Sequence, residues 1–176
     1  MSAARGPDAA IFLVGFMASG KTTVGRVLAE TLGWEFADTD ELIERTEGRS
    51  IEAIFRESGE GRFREAEWEA LRSLTGRRRV VVATGGGLFL GVSQRGLIRA
   101  SGVSCWLDVP LELASVRLQT GEPRPLWEAA DPLSRRAMFE RRRAAYALAD
   151  WRIDATRGEA EELAHRIESL KNSLWR

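Results

Sequence analysis

Lysine is almost missing from this chain: of 26 basic residues, only Lys21 and Lys171 are not arginine. The 26 acidic residues balance them, so the formal net charge is zero. No overall field therefore draws the chain to nucleic acid or to anionic lipid. One cysteine, Cys105, excludes an internal disulfide; within the apolar run Val103–Leu107 it reads as a buried free thiol. Its isolation fits a reducing, cytoplasmic setting. Histidine also occurs once, as His165 in a polar C-terminal helical pattern, so a general base would have to be a carboxylate. No apolar run approaches the length that crosses a bilayer, and Met1–Asp8 lacks the apolar stretch of a secretory signal. The expectation is a cytoplasmic protein without membrane or nucleic-acid partners. Its 176 residues suit one domain with a two-sided core, and the absence of an obvious exposed apolar stripe points to a monomer.

Against that background the placement of Lys21 stands out. Residues 15–22 read G-F-M-A-S-G-K-T and follow the apolar run Ala9–Val14, while Thr23–Glu30 continues as an amphipathic helix. A strand, a glycine-bounded loop and a helix in that order aim successive backbone N–H groups and a helix N-terminus at one anion. The Lys21 ammonium can follow the β- and γ-phosphates of a nucleotide, and the Thr22 hydroxyl is placed to ligate Mg²⁺. A chain that otherwise uses arginine keeps a slim ammonium where a planar guanidinium fits badly.

Four more apolar segments read as strands: Trp34–Ala37, Val80–Ala83, Val103–Leu107 and a weaker one at Trp151–Ile153. Helical patterns separate them at Glu41–Glu47, Ile51–Glu57, Gly61–Leu74, Gln94–Ala100 and Leu111–Leu118. Alternating strands and helices imply a mostly parallel sheet covered on both faces, with ligands beyond the carboxyl ends of the strands. The stretch Gln119–Pro125, with Gly121, Pro123 and Pro125, is expected to be a mobile loop.

Several side-chain groups fall at those strand ends. Asp38-Thr39-Asp40 follows the second strand; in extended chain its two carboxylates face one side, although Asp40 could instead cap the helix at Glu41. Within a helix, Glu60 and Glu67 flank Arg64, a clamp that would fix a guanidinium for a small carboxylate, or an ordinary surface ion-pair network. Gly85-Gly86-Gly87 ends the third strand and lets a ligand approach bare backbone.

The joint pattern resembles the shikimate kinase family, within the nucleoside-monophosphate-kinase-like P-loop proteins. The resemblance rests on G-F-M-A-S-G-K-T-T-V-G, F-A-D-T-D, I-F-R-E-S-G-E-G-R-F-R-E-A-E, A-T-G-G-G and R-P-L, and runs from about Ile11 to Asp154. It implies a three-layer α/β/α P-loop fold with a five-stranded parallel sheet. It also implies a substrate subdomain at about 38–70 and a lid at about 117–128. The implied activity is transfer of the ATP γ-phosphoryl group to the 3-hydroxyl of shikimate, toward chorismate and the aromatic amino acids. Carried over by residue, Ala18, Ser19, Gly20, Lys21, Thr22 and Thr23 would wrap the ATP phosphates, with Thr22 and Asp38 serving Mg²⁺. Asp40 would bind shikimate hydroxyls and orient or deprotonate the attacking one. Arg64 would grip the carboxylate, and Gly85, Gly86 and Gly87 would present backbone to the substrate. Arg124 would swing in with the lid to neutralise the moving phosphoryl group, and Arg117 and Arg157 would serve the adenine side.

The chain departs from the family pattern late, at Arg141-Arg142-Arg143-Ala144-Ala145-Tyr146. Matching on Tyr146 selects Arg142 as second carboxylate ligand, because an R-x-x-x-Y spacing places both on one helix face. Matching on Ala149-Asp150 selects Arg141. The lid reads R-P-L-W, so Trp127 is expected to alter its packing without touching the chemistry. Two competing functions share the phosphate loop: a kinase for another small metabolite such as gluconate, and a non-catalytic ligand sensor.

Overall fold

Each of the five apolar runs becomes a strand in the computed structural model, which describes residues 6–120 and 125–174. The strands are β1 (Ala10–Val14), β2 (Glu35–Asp38), β3 (Val80–Ala83), β4 (Gly102–Asp108) and β5 (Trp151–Asp154). They form one sheet in the order β2-β3-β1-β4-β5, and all four pairings are parallel. Every residue of β1 and β3 is buried, the mark of strands covered on both faces. β1 is central, with β3 on one side and β4 on the other, so the chain reverses its winding direction at β1. The carboxyl end of that strand is the position where doubly wound sheets bind ligands.

The helices are α1 (Lys21–Leu32), α2 (Thr39–Glu47), α3 (Ile51–Leu74), α4 (Val92–Ser101), α5 (Leu111–Thr120), α6 (Pro125–Glu128), α7 (Pro132–Tyr146) and α8 (Ala160–Leu174). α3 joins the two expected helices into one element broken at Gly59, whose φ of 77° and ψ of 177° lie outside helical space. Of the stretch Gln119–Pro125 expected to be a mobile loop, residues 121–124 lie outside the described residues. α5 runs through Thr120 and α6 begins at Pro125, where proline's fixed φ suits a first turn.

Two apolar cores result. The main one surrounds the sheet; a smaller one packs Ile43 of α2 against Ile54, Phe63, Ala66 and Ala70 of α3. The outer seam of that small core is ionic. Glu47 bonds both Arg49 and Arg62, which hold its carboxyl below the ordinary range.

Asp150, the residue just before β5, ties the start of that strand to β4. Its carboxylate accepts from the Ser104 N–H at 2.9 Å and from the Ser104 hydroxyl at 2.8 Å. Asp150→Ala leaves a buried backbone donor unmet, so unfolding in urea should show a loss of about 1–3 kcal/mol. Nucleotide affinity should stay unchanged, since the residue does not border the glycine loop that follows β1.

A candidate active site where two glycine loops touch

The phosphate loop bridges β1 and α1. Its entrance to the helix is Gly20 at φ 92°, and Ala18 also takes a positive φ of 59°, a left-handed turn that curls the backbone around an open centre. The Lys21 ammonium is held inside the loop by the carbonyls of Gly15 at 3.0 Å and Phe16 at 2.8 Å, with the Ser19 hydroxyl at 3.4 Å. Ser19 and Lys21 are buried, and Thr22 and Thr23 face the solvent.

Beside the loop, the Thr22 hydroxyl donates to Asp38 Oδ2 at 2.7 Å. The other oxygen of Asp38 accepts from the Asp40 N–H at 2.9 Å, which makes Asp38 the N-cap of α2. This corrects two expectations. The strand ends at Asp38 and the helix starts at Thr39, so Asp40 is not the cap, and the pair is not displayed on extended chain. A strand end and a first helical turn bring both carboxylates to the same cleft.

That cleft encloses about 730 Å³. Its floor is the loop from Met17 to Thr23, and Asp38, Asp40, Thr84 and Gly86 form one wall. Arg117 stands at the rim and donates to the Ala18 carbonyl at 3.2 Å. Arg157 does not line the cleft; it is exposed and paired with Asp154 at 3.1 Å. Its neighbours Ala155, Gly158 and Glu159 line that end instead. Arg124 lies outside the described residues.

Gly85, Gly86 and Gly87 each make room for a different group. A Cβ at Gly85 would stand 2.8 Å from Asp40 Oδ1 and 2.9 Å from Glu67 Oε1. One at Gly86 would lie 3.2 Å from Arg142 Nη1 and 3.4 Å from the Met17 nitrogen, and one at Gly87 would strike the Arg64 guanidinium. The strip is fixed by its own bonds: the Gly85 N–H donates to Thr39 Oγ1 at 2.8 Å, and the Tyr146 hydroxyl donates to the Gly86 carbonyl at 2.5 Å.

Arg64 is clamped as the spacing suggested, with Nε and Nη2 on Glu60 at 3.1 and 2.8 Å and Nη1 on Glu67 at 2.5 Å. Of the two late candidates, Arg142 is buried beside Gly86 while Arg141 is exposed. Burial pulls the Arg142 pKa down, and it pushes that of Tyr146 up. Glu67 was legible from the sequence only as a flank of Arg64. In the structure it is buried, its Oε1 has no hydrogen-bond partner among the described residues, and it shares the Gly85 side with Asp40. Phe16, whose ring lies against Arg142, gave no sequence signal beyond its place in the loop.

A phosphate loop at the switch point of a five-stranded parallel sheet defines a P-loop kinase of the nucleoside-monophosphate-kinase type. A family model described as shikimate kinase matches residues 17–171. The chain belongs to the shikimate kinase family, ATP-dependent kinases of aromatic amino acid biosynthesis, and its activity is the one that family carries. It is 44% identical over 154 residues to the shikimate kinase of Synechococcus elongatus, covering 87% of this chain and 80% of that protein. With the shikimate kinase of Moorella thermoacetica it shares 44% identity over 163 residues, 92% of this chain and 94% of that one. Its structure matches that of Acinetobacter baumannii shikimate kinase in complex with shikimate at a TM-score of 0.88 and 40% identity, covering 94% and 93% of the two chains. A gluconokinase from Sinorhizobium meliloti, at 18% identity and a TM-score of 0.58, shares the fold alone.

Burial raises the Glu67 pKa above its ordinary 4.5 despite the Arg64 guanidinium beside it. A folded carboxyl that binds its proton more tightly than the unfolded one loses stability as pH rises through the interval between the two values. The stability of the wild type relative to Glu67→Gln should therefore be constant below pH 4.5 and decline above it. Denaturation midpoints measured across pH 4 to 8 check the sign; a relative gain with rising pH would contradict it.

Proposed function

We propose that this chain transfers the γ-phosphoryl group of ATP to the 3-hydroxyl of shikimate in the cleft between the phosphate loop and the Gly85–Gly87 strip. One observation carries the reading. Two guanidiniums, from Arg64 and Arg142, and the carboxylate of Asp40 meet glycines of a strip that itself touches the phosphate loop. A cyclic acid with its carboxylate on the arginines can turn a ring hydroxyl toward Asp40 and the loop.

In this account Ala18 to Thr23 wrap the nucleotide phosphates. The Lys21 ammonium exchanges its bonds to the Gly15 and Phe16 carbonyls for bonds to phosphate oxygens, following the transferring group without large motion. Asp40 receives the attacking hydroxyl and holds or takes its proton. Arg64 and Arg142 grip the carboxylate. With its carbonyl engaged by Tyr146, Gly86 offers its N–H to a ring oxygen. Arg117 flanks the adenine side, and Arg124 supplies charge to the moving phosphoryl group as the lid at about 117–128 closes over the subdomain at about 38–70. Little covalent chemistry is asked of the protein; alignment, neutralisation and exclusion of water provide the rate.

The donor set also fits Mg²⁺. Thr22 and Asp38 present hard oxygens 2.7 Å apart at the mouth of the loop, and no cluster of three acidic, histidine or cysteine side chains exists among the described residues. That suits an ion that keeps most of its waters and takes the rest of its shell from phosphates. When bound, it would neutralise charge on the β- and γ-phosphates. No described helix is long and apolar enough to cross a membrane, and we propose a cytoplasmic monomer.

A coupled ADP-release assay with shikimate, quinate and gluconate offered separately tests the substrate. Turnover should require shikimate; turnover with gluconate alone would overturn the assignment. Arg142→Ala should raise the shikimate KM at least about thirtyfold, as loss of a buried charge partner does. Arg141→Ala should leave it within about twofold, as for an ordinary surface change. Lys21→Ala should lower kcat by about a hundredfold or more if the ammonium stabilises the moving phosphoryl group.

A further inference from the structure

The two arginines that border the glycine strip are held by different means. Arg64 is neutralised by two carboxylates, Glu60 and Glu67. Arg142 is only 3% exposed, its Nε has no hydrogen-bond partner, and it makes no ion pair among the described residues. The Tyr146 hydroxyl and the Glu67 carboxylate act on it electrostatically, and an aromatic face lies beside it: its guanidinium carbon sits 5.5 Å from the centroid of the Phe16 ring.

Phe16 belongs to the phosphate loop, and its ring is itself wedged. Phe139 of α7 meets it edge-on at 5.1 Å, and Trp127 of α6 does the same at 5.9 Å. Trp127 is locked in turn by Arg135, whose guanidinium lies 4.8 Å from the indole and whose Nε donates to the Trp127 carbonyl at 3.0 Å. The face presented to Arg142 is thus fixed from two sides.

We propose that Phe16 is a positioning residue for the acceptor: its ring face holds the Arg142 guanidinium in the pose that takes the carboxylate. A carboxylate in that place would orient the arginine but compete with the incoming acid. A ring orients the cation through its quadrupole and leaves the positive charge uncancelled. The division of labour follows. Arg64, clamped and neutralised, supplies geometry; Arg142, cradled by an aromatic, supplies charge. This rests on the reading that Arg142 binds the substrate carboxylate.

Phe16→Leu keeps the apolar bulk and removes the ring face, and Phe16→Tyr restores it. In the coupled assay Phe16→Leu should raise the shikimate KM about five- to tenfold, the size of a partly desolvated cation–π contact. The ATP KM should hardly move, and Phe16→Tyr should return the shikimate KM toward wild type. In an Arg142→Ala background, Phe16→Leu should cost nothing further in kcat/KM for shikimate. Equal losses for ATP and shikimate would show a merely structural role in the loop and overturn the proposal. So would a Tyr variant as impaired as the Leu variant, or a full additive loss in the Arg142→Ala background. An Arg142→Ala enzyme with normal shikimate KM would instead sink the parent reading. A normal Phe16→Leu enzyme beside an impaired Arg142→Ala one sinks this inference alone.

Discussion

The contact between two stretches of backbone that carry almost no side chain governs this site. β1 and β3 lie side by side in parallel register, Leu13 opposite Ala83, so the loops that leave them run together. The Gly86 position comes within 3.4 Å of the Met17 nitrogen and 3.7 Å of the Gly15 carbonyl, counted from where a Cβ would stand. Any side chain on the strip would separate the loops or evict one of the groups that border it. Phosphoryl transfer needs donor and acceptor in line at near-contact distance, and no later element could restore that alignment if the two loops stood apart.

Charge is distributed around that contact unevenly. The phosphate side has one ammonium, folded into the loop on two carbonyls, and a hydroxyl already paired with Asp38. On the side of the glycine strip stand two guanidiniums, with two carboxylates, Asp40 and Glu67, beside Gly85. Burial raises the Glu67 pKa even with Arg64 beside it, so for this carboxylate desolvation outweighs the ion pair.

Much of this was readable before any coordinates. The phosphate loop, the five strands and the Arg64 clamp follow from spacing, because fixed helical and extended periods translate directly into shared faces. The boundaries that failed did so for local reasons. Asp38 and Thr39 sit where a strand becomes a helix, and the cap fell on the earlier aspartate because its oxygen reaches the Asp40 N–H. Two helical patterns became one broken helix because Gly59 alone absorbs the bend. Arg157 rested on position alone, and in the structure it is exposed and paired with Asp154. Phe16, and the burial of Glu67 beside Asp40, were beyond reach. Their roles depend on contacts between elements far apart in the chain, and no single-segment period encodes those.

A crystal structure of the ternary complex with ADP and shikimate tests the central claim most directly. The account expects the shikimate carboxylate on both Arg64 and Arg142, the ring over Gly85–Gly87, and one hydroxyl between Asp40 and the open end of the phosphate loop. A carboxylate bound elsewhere, or a ring with no hydroxyl facing that loop, would contradict it.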